Sequence, residues 1–311
     1  MPRTLRYVPP GGSLVEVTVR TLQSQYLLRP SPSLNEIVGG VLGRAQTLHP
    51  VRCHAAVFLS THFHLLLSVD DAKQMSDFMQ FVNTNLTKEI NRLRKREGTA
   101  WGDRYRSIPV SEEEAAQVER LRYLLSQSVK EGLVAHARDW PGVHCIRQIL
   151  AGAIRGLWFD RTREFAARNR GEDFGRLQYA TEEVFELTPL PCWAHLPSEV
   201  YRQRIAELMG EIESEAAAEL AKAGREPLGV GAVLRMDPET RPERSKKSPA
   251  PMFHAATKAM RKALREAYAL FVAAFREASE HLRSGDRNAR FPVGSFPPGL
   301  PFVTEEATGP P

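Results

Sequence analysis

The stretch RCHAAVFLSTHFHLLLSV, residues 52–69, constrains the fold more than any other part of the chain. It reads as two mostly apolar runs on either side of Ser60-Thr61. Two residues leave room for a tight turn and nothing longer, so 52–60 and 62–69 are expected as two strands of a hairpin. Side chains alternate between faces along a strand, which puts His62 and His64 on one face and Phe63 and Leu65 on the other. Two imidazoles side by side are either half of a metal site or a coincidence of packing.

Strand and helix signals alternate around that hairpin. SLVEVTVRT (13–21) interleaves Leu14, Val15, Val17 and Val19 with polar residues and reads as a half-buried strand. The segment 33–50 carries Leu34, Ile37, Val38, Val41 and Leu42 at helical spacing, opens with a Ser cap and ends near Pro50. After the hairpin, 71–98 places Met75, Phe78, Phe81, Val82, Leu86 and Ile90 on one helical stripe. RYRSIPV (104–110) is a fourth strand, and 111–132 is a helix with a Ser cap and acidic first turn that stops at Gly132.

The order β-α-β-β-α-β-α predicts an α+β protein whose first six elements follow the ferredoxin-like arrangement, an antiparallel sheet with two helices on one face. The seventh element, an appended helix, is free to cross the other face. The pattern ends around DWPGVHC (139–145), so one domain is expected over 1–145 and a mostly α-helical region over 146–311. In that second region 151–159, 198–224 and 254–285 are expected as helices, and the Pro-rich tail from 291 as extended chain with docked aromatics.

At 311 residues the chain suffices for one large domain or two ordinary ones, and a net charge of +5 leans toward polyanionic partners. Its three cysteines, Cys53, Cys145 and Cys192, have no CxxC spacing, which favours a reducing compartment over a zinc ribbon or disulfide framework. No secretory leader and no run of membrane-spanning length is visible, so a soluble cytoplasmic protein is expected.

A second chemical feature lies on the helix expected at 111–132. Tyr123 and Gln127 are four residues apart and share a helix face, a phenol beside an amide oxygen. An amide oxygen is a hard donor, of the kind that completes a cation shell begun by two imidazoles.

His62-Phe63-His64 and YLLSQSVKEGLV (123–134) together resemble the single-tyrosine HUH transposases. That family joins a His-hydrophobic-His strand to a helix on which a Tyr is followed four residues later by Gln or Asn. The resemblance covers about residues 5–145, and DWPGV (139–143) is similar to the Asp-Trp-Pro that REP-associated members carry after the same helix. The chain departs from the family at Ser60-Thr61, where Pro-Asn is frequent, at Gln127-Ser128-Val129, where REP-associated members read Asn-Pro-Val, and at Gly142-Val143, in place of a Ser pair.

The resemblance implies a DNA transposase that cleaves and rejoins single-stranded DNA at hairpin or palindromic ends. It implies Tyr123 as the catalytic nucleophile, a 5′-phosphotyrosine intermediate, and one Mg2+ or Mn2+ held by His62, His64 and Gln127. The family assembles such sites within a monomer or across a homodimer. Two rivals stand beside this reading: a domesticated, non-mobile DNA-binding or REP-processing protein of the same fold, and a metal hydrolase with no covalent step.

The basic residues divide into two groups. Arg92, Arg94, Lys95 and Arg96 end a helix, with Arg104 and Arg106 on the following strand. They are either a solvated face that suits the helix dipole or a grip on phosphates. Lys258, Arg261, Lys262 and Arg265 form one side of a later helix, with RSKKSP (244–249) upstream, and read equally as an amphipathic surface or a DNA contact. Trp101 and Tyr105 are expected in the core ahead of stacking on bases. His54 falls off the metal face, and His136, His144, His195, His254 and His281 lack ligand spacing.

Overall fold

The computed structural model describes residues 5–243 and 251–296, so RSKKSP and the tail from 297 lie outside the described residues. It is a mixed α+β structure. Its centre is a four-stranded antiparallel sheet in the order β2-β3-β1-β4, made of β1 (Ser13–Arg20), β2 (Arg52–Phe58), β3 (His62–Val69) and β4 (Arg106–Val110). The Ser60-Thr61 turn is closed by a 2.8 Å bond from Leu59 N to His62 O. From Phe63 to Val69 every residue of β3 is buried, which places the strand in the interior of the sheet. Each fully buried Leu there contributes on the order of 2 kcal/mol.

Three helices belong to this sheet: α1 (Pro32–Leu48), α2 (Ala72–Arg94) and α3 (Glu114–Lys130). Ser31 Oγ caps α1 by accepting from Leu34 N, with Pro32 at the first helical position, and Asp71 caps α2 through Gln74 N. Phe63 meets Trp101 edge-on at 5.5 Å, and Trp101 donates to Asn83 O on α2, so α2 lies on the Phe63 face. Tyr123 of α3 meets His64 on the opposite face. The expected Ser cap of α3 is not formed: the N-cap is Glu113, and Ser111 Oγ donates to the Glu113 carboxylate instead. That carboxylate accepts from Ala256 N and Thr257 N, at the start of a helix far along the chain.

Beyond residue 145 come β5 (Ala153–Phe159), α4 (Arg161–Asn169), β6 (Ala180–Glu186), α5 (Ser198–Lys222), α6 (Val230–Arg235) and α7 (Lys258–Arg283). The two long helices match the expected ones. The expected helix at 151–159 is wrong: that segment is β5, paired antiparallel with β6. Its cause is tertiary. The β5–β6 ribbon lies directly against α1. A Cβ on Gly40 would sit 2.1 Å from the Leu157 carbonyl, and one on Gly156 would sit 2.2 Å from Gly40 N. Glycines on both partners let backbone meet backbone, and an extended ribbon uses that approach.

One hydrophobic core runs across residue 145, joining Val17, Leu66 and Leu125 to Phe185, Trp193, Ile205 and Leu208. Later segments also cover both sheet edges. Val143 O accepts from Phe58 N, Trp140 Nε1 donates to Phe58 O and Thr188 N donates to Cys53 O along β2. On the β4 edge His254 N donates to Pro109 O at 3.0 Å and Ser111 N donates to His254 O at 2.8 Å. Such cover removes the unpaired strand edges through which sheets aggregate. Of the tail, 291–296 is docked: Arg6 lies 4.1 Å over the Phe296 ring, and Phe291 packs on Phe275. Among the described residues no helix is long and apolar enough to cross a membrane.

Candidate functional site

Strand register builds the site from three neighbouring strands. Thr18 of β1 lies opposite both His64 of β3 and Arg106 of β4, and Arg20 lies opposite His62. Directly opposed residues of antiparallel strands share a face. His62, His64, Thr18, Arg20 and Arg106 therefore stand together, with Glu16 one step along β1. Over them α3 lays Arg120, Tyr123, Gln127 and Lys130. The His62 and His64 ring centroids are 5.1 Å apart, and the Tyr123 ring is 5.7 Å from that of His64, edge-on. Arg120 and Lys130 lie over the Tyr123 ring at 5.0 and 5.2 Å.

Each candidate ligand is held by the atom that a cation does not need. His62 Nδ1 is 2.8 Å from Thr61 Oγ1. His64 Nδ1 is 3.0 Å from Thr18 Oγ1 and 3.3 Å from Glu16 Oε1. Gln127 Nε2 donates to Tyr123 O at 2.8 Å, which turns its Oε1 toward the His62 ring. Among the described residues no hydrogen bond reaches His64 Nε2. Tying one ring nitrogen to a side chain while the other keeps its lone pair is how metal-binding histidines are oriented. Two imidazoles and an amide oxygen fit a divalent cation by donor chemistry. No group of three or more His, Cys, Asp or Glu among the described residues forms a metal cluster of its own.

The electrostatics separate the groups. Burial pushes the His62 pKa well below its ordinary value, helped by the neighbouring His64 imidazole and the Arg20 guanidinium, while hydrogen bonding with Gln127 opposes it. His62 is therefore neutral, the form that donates a lone pair. Burial also raises the Tyr123 phenol, reinforced by Glu16, while Arg120 and a hydrogen bond with Gln127 work the other way. Glu16 is 4% exposed. Burial alone would raise its pKa, but hydrogen bonds from His254 and His64 hold it well below the usual carboxylate range. His254 Nε2 is 2.8 Å and Arg120 Nη1 3.6 Å from Glu16 Oε2.

The basic residues sort differently from their sequence grouping. Arg106 stands beside the imidazoles. Arg94 turns inward and donates to Arg29 O at 2.8 Å, and Arg96 binds Asn91 Oδ1 and Thr99 O, so both brace the end of α2. Arg92, Lys95 and Arg104 are exposed. None of these five touches the histidine–tyrosine cluster. Arg261 and Arg265 join Arg120, Glu119, Phe253 and His254 in lining a cleft of about 520 Å³ next to the site. Lys258 and Lys262 are exposed, with Lys262 3.8 Å from Glu266. Trp101 and Tyr105 are packing residues, as expected: Trp101 is wedged against Phe63 and Tyr105 is buried beneath Arg6.

Sequence reasoning missed Glu16, Arg20, Arg120 and His254. The alternation of β1 puts Glu16, Thr18 and Arg20 on one face, a signal that was present, but it does not say which strand lies beside it. Nothing local marks His254.

No protein-family model matches the chain, and no curated protein matches it by sequence. Among solved structures, that of a REP-associated tyrosine transposase bound to a REP hairpin is similar over 49% of this chain and 86% of its own, at 17% identity and a TM-score of 0.38. A candidate transposase from Deinococcus radiodurans R1 is similar over 39% of this chain and 95% of its own, at 17% identity and a TM-score of 0.28.

Proposed function

We propose that this chain is a single-tyrosine DNA strand transferase of the HUH transposase kind, acting on single-stranded DNA beside hairpin or palindromic ends. In this reading a ferredoxin-like catalytic unit over 1–145 is followed by a region over 146–311 that supports it. One observation carries the reading: Tyr123 lies 5.7 Å, ring to ring, from His64 in the same chain, with His62 5.1 Å beyond. A complete site in one chain suits a monomer and a homodimer alike. The proposed location is the cytoplasm.

His62, His64 and Gln127 would hold one Mg2+ or Mn2+, which would supply positive charge for a bound phosphodiester. Tyr123 Oη attacks the phosphorus in line. Its O–P bond forms as the bond to the 3′ oxygen breaks, the phenol proton is lost, and the leaving 3′ oxygen takes up a proton. The products are a 5′-phosphotyrosine and a free 3′-OH. Because a phosphodiester is exchanged for a phosphodiester, the step is reversible and needs no nucleotide cofactor. Arg120 above the Tyr123 ring and the hydrogen bond with Gln127 favour phenolate against the effect of burial. Arg20 and Arg106, on the histidine face, are placed to position the flanking phosphates.

Tyr123→Phe tests the nucleophile. With a single-stranded oligonucleotide and Mn2+, wild type forms an adduct stable on a denaturing gel, and the variant forms none. An adduct formed by the variant would remove Tyr123 from the reaction. Cleavage without any adduct in wild type would favour the metal hydrolase.

A further inference from the structure

Among the described residues the carboxylate of Glu16 is the one buried acid on the histidine face, and the proposed chemistry leaves it without a task. Its two oxygens point at different imidazoles. Oε1 is 3.3 Å from His64 Nδ1, and Oε2 is 2.8 Å from His254 Nε2. The 2.8 Å approach is an ion-pair contact without hydrogen-bond alignment, and because a carboxylate offers no proton it favours a proton on His254 Nε2. The same logic favours a proton on His64 Nδ1, where Thr18 Oγ1 at 3.0 Å also accepts. His64 Nε2 then keeps its lone pair. His254 is not free to drift, since its backbone N–H and C=O are both bonded to the β4 edge at Pro109 and Ser111. The chain thus returns more than 130 residues after β4 to place a donor behind the carboxylate.

We propose that Glu16, anchored by His254, is the positioning residue that holds His64 with its Nε2 lone pair presented to a divalent cation, so that the segment around 254 completes the site. The cation rests on the function proposed above; the tautomer does not. Glu16 itself is not a ligand in this arrangement, because each of its oxygens lies against an imidazole, on the Nδ1 side of His64.

The test uses the full chain labelled with 15N-histidine. Long-range 1H–15N correlation spectra read the His64 tautomer directly, and a Mn2+ titration reads the cation. Wild type is expected to show His64 protonated at Nδ1. Glu16→Gln, which keeps the shape and loses the charge, is expected to shift His64 toward the Nε2-protonated form and to weaken Mn2+ binding about 10- to 100-fold. His254→Gln is expected to move both readouts the same way by less. An Nε2-protonated His64 in wild type would overturn the proposal without any variant. So would a folded Glu16→Gln protein that binds Mn2+ as tightly as wild type. If both readouts behave as expected while Tyr123→Phe still captures DNA, the positioning role stands and the strand-transfer reading fails.

Discussion

The β2–β3 hairpin carries imidazoles at both ends, and the two ends employ them differently. At the open end His54 sits at a register shift between Cys53 and Ala55, with Nε2 2.8 Å from Ser68 Oγ and Nδ1 2.8 Å from Pro189 O. Both nitrogens are spent on the fold. At the turn end His62 and His64 each spend Nδ1 on a side-chain oxygen, and His64 keeps Nε2 unbonded among the described residues. His54 is tied at both nitrogens to groups that belong to the fold, whereas His62 and His64 have Thr61, Thr18 and Glu16 at Nδ1 and face the Tyr123–Gln127 side of α3, where Gln127 hydrogen-bonds with His62. The number of histidines says nothing about which is which; the partners do.

Substitution at the two ends should therefore give crossed results. His62→Ala is expected to reduce strand capture at least 1,000-fold, about 4 kcal/mol, with a urea-stability change of only about 1 kcal/mol because the residue keeps some exposure at the turn. A large stability loss with capture intact would reverse the comparison.

Acid should act on the buried imidazoles, His62 at the turn end included, and His54 and His144 define the window. Burial lowers His54 and His144 to about 4 from an ordinary 6.5. The folded state favours their neutral forms, so this stability is fully present above pH 6.5, is lost as pH falls toward 4 and changes no further below. The loss is on the order of 3 kcal/mol for each ring. Urea midpoints across that window measure it, and His54→Leu should flatten the slope. A slope unchanged in that variant would remove His54 from the account.

His54→Ala is expected to cost about 2 kcal/mol by leaving a cavity, the Pro189 carbonyl without its donor and the Ser68 hydroxyl without its acceptor, with capture unchanged in the folded fraction. The smallest effect separates the two kinds of arginine. Arg106→Ala should reduce the salt dependence of single-stranded DNA binding by about one ion, while Arg94→Ala should leave that slope alone and lower stability. Equal slopes for both would mean that the histidine face is not where the strand lies.

Much of the site was legible because its spacing is local. Two residues apart on a strand means one face, and four apart on a helix means one face, so His62 with His64 and Tyr123 with Gln127 could be paired from the sequence. The hairpin, the three helices around the sheet and the two long later helices were legible for the same reason. The segment 151–159 was not: Ile154, Leu157 and Trp158 suit a helix as well as a strand. The choice was made by Gly39, Gly40 and Gly156, which let α1 touch the ribbon backbone to backbone.

By itself, then, the sequence determined what repeats over a few residues: the faces, the turns, and the pairing of imidazole with imidazole and phenol with amide. Only the tertiary structure decided that β1 lies between β3 and β4, which brings Glu16, Arg20 and Arg106 beside the histidines. It also decided that His254 returns to hold Glu16. The physical reason is range. Backbone geometry fixes neighbours at short separation, whereas strand register and distant returns depend on the burial and hydrogen bonding of the whole chain at once.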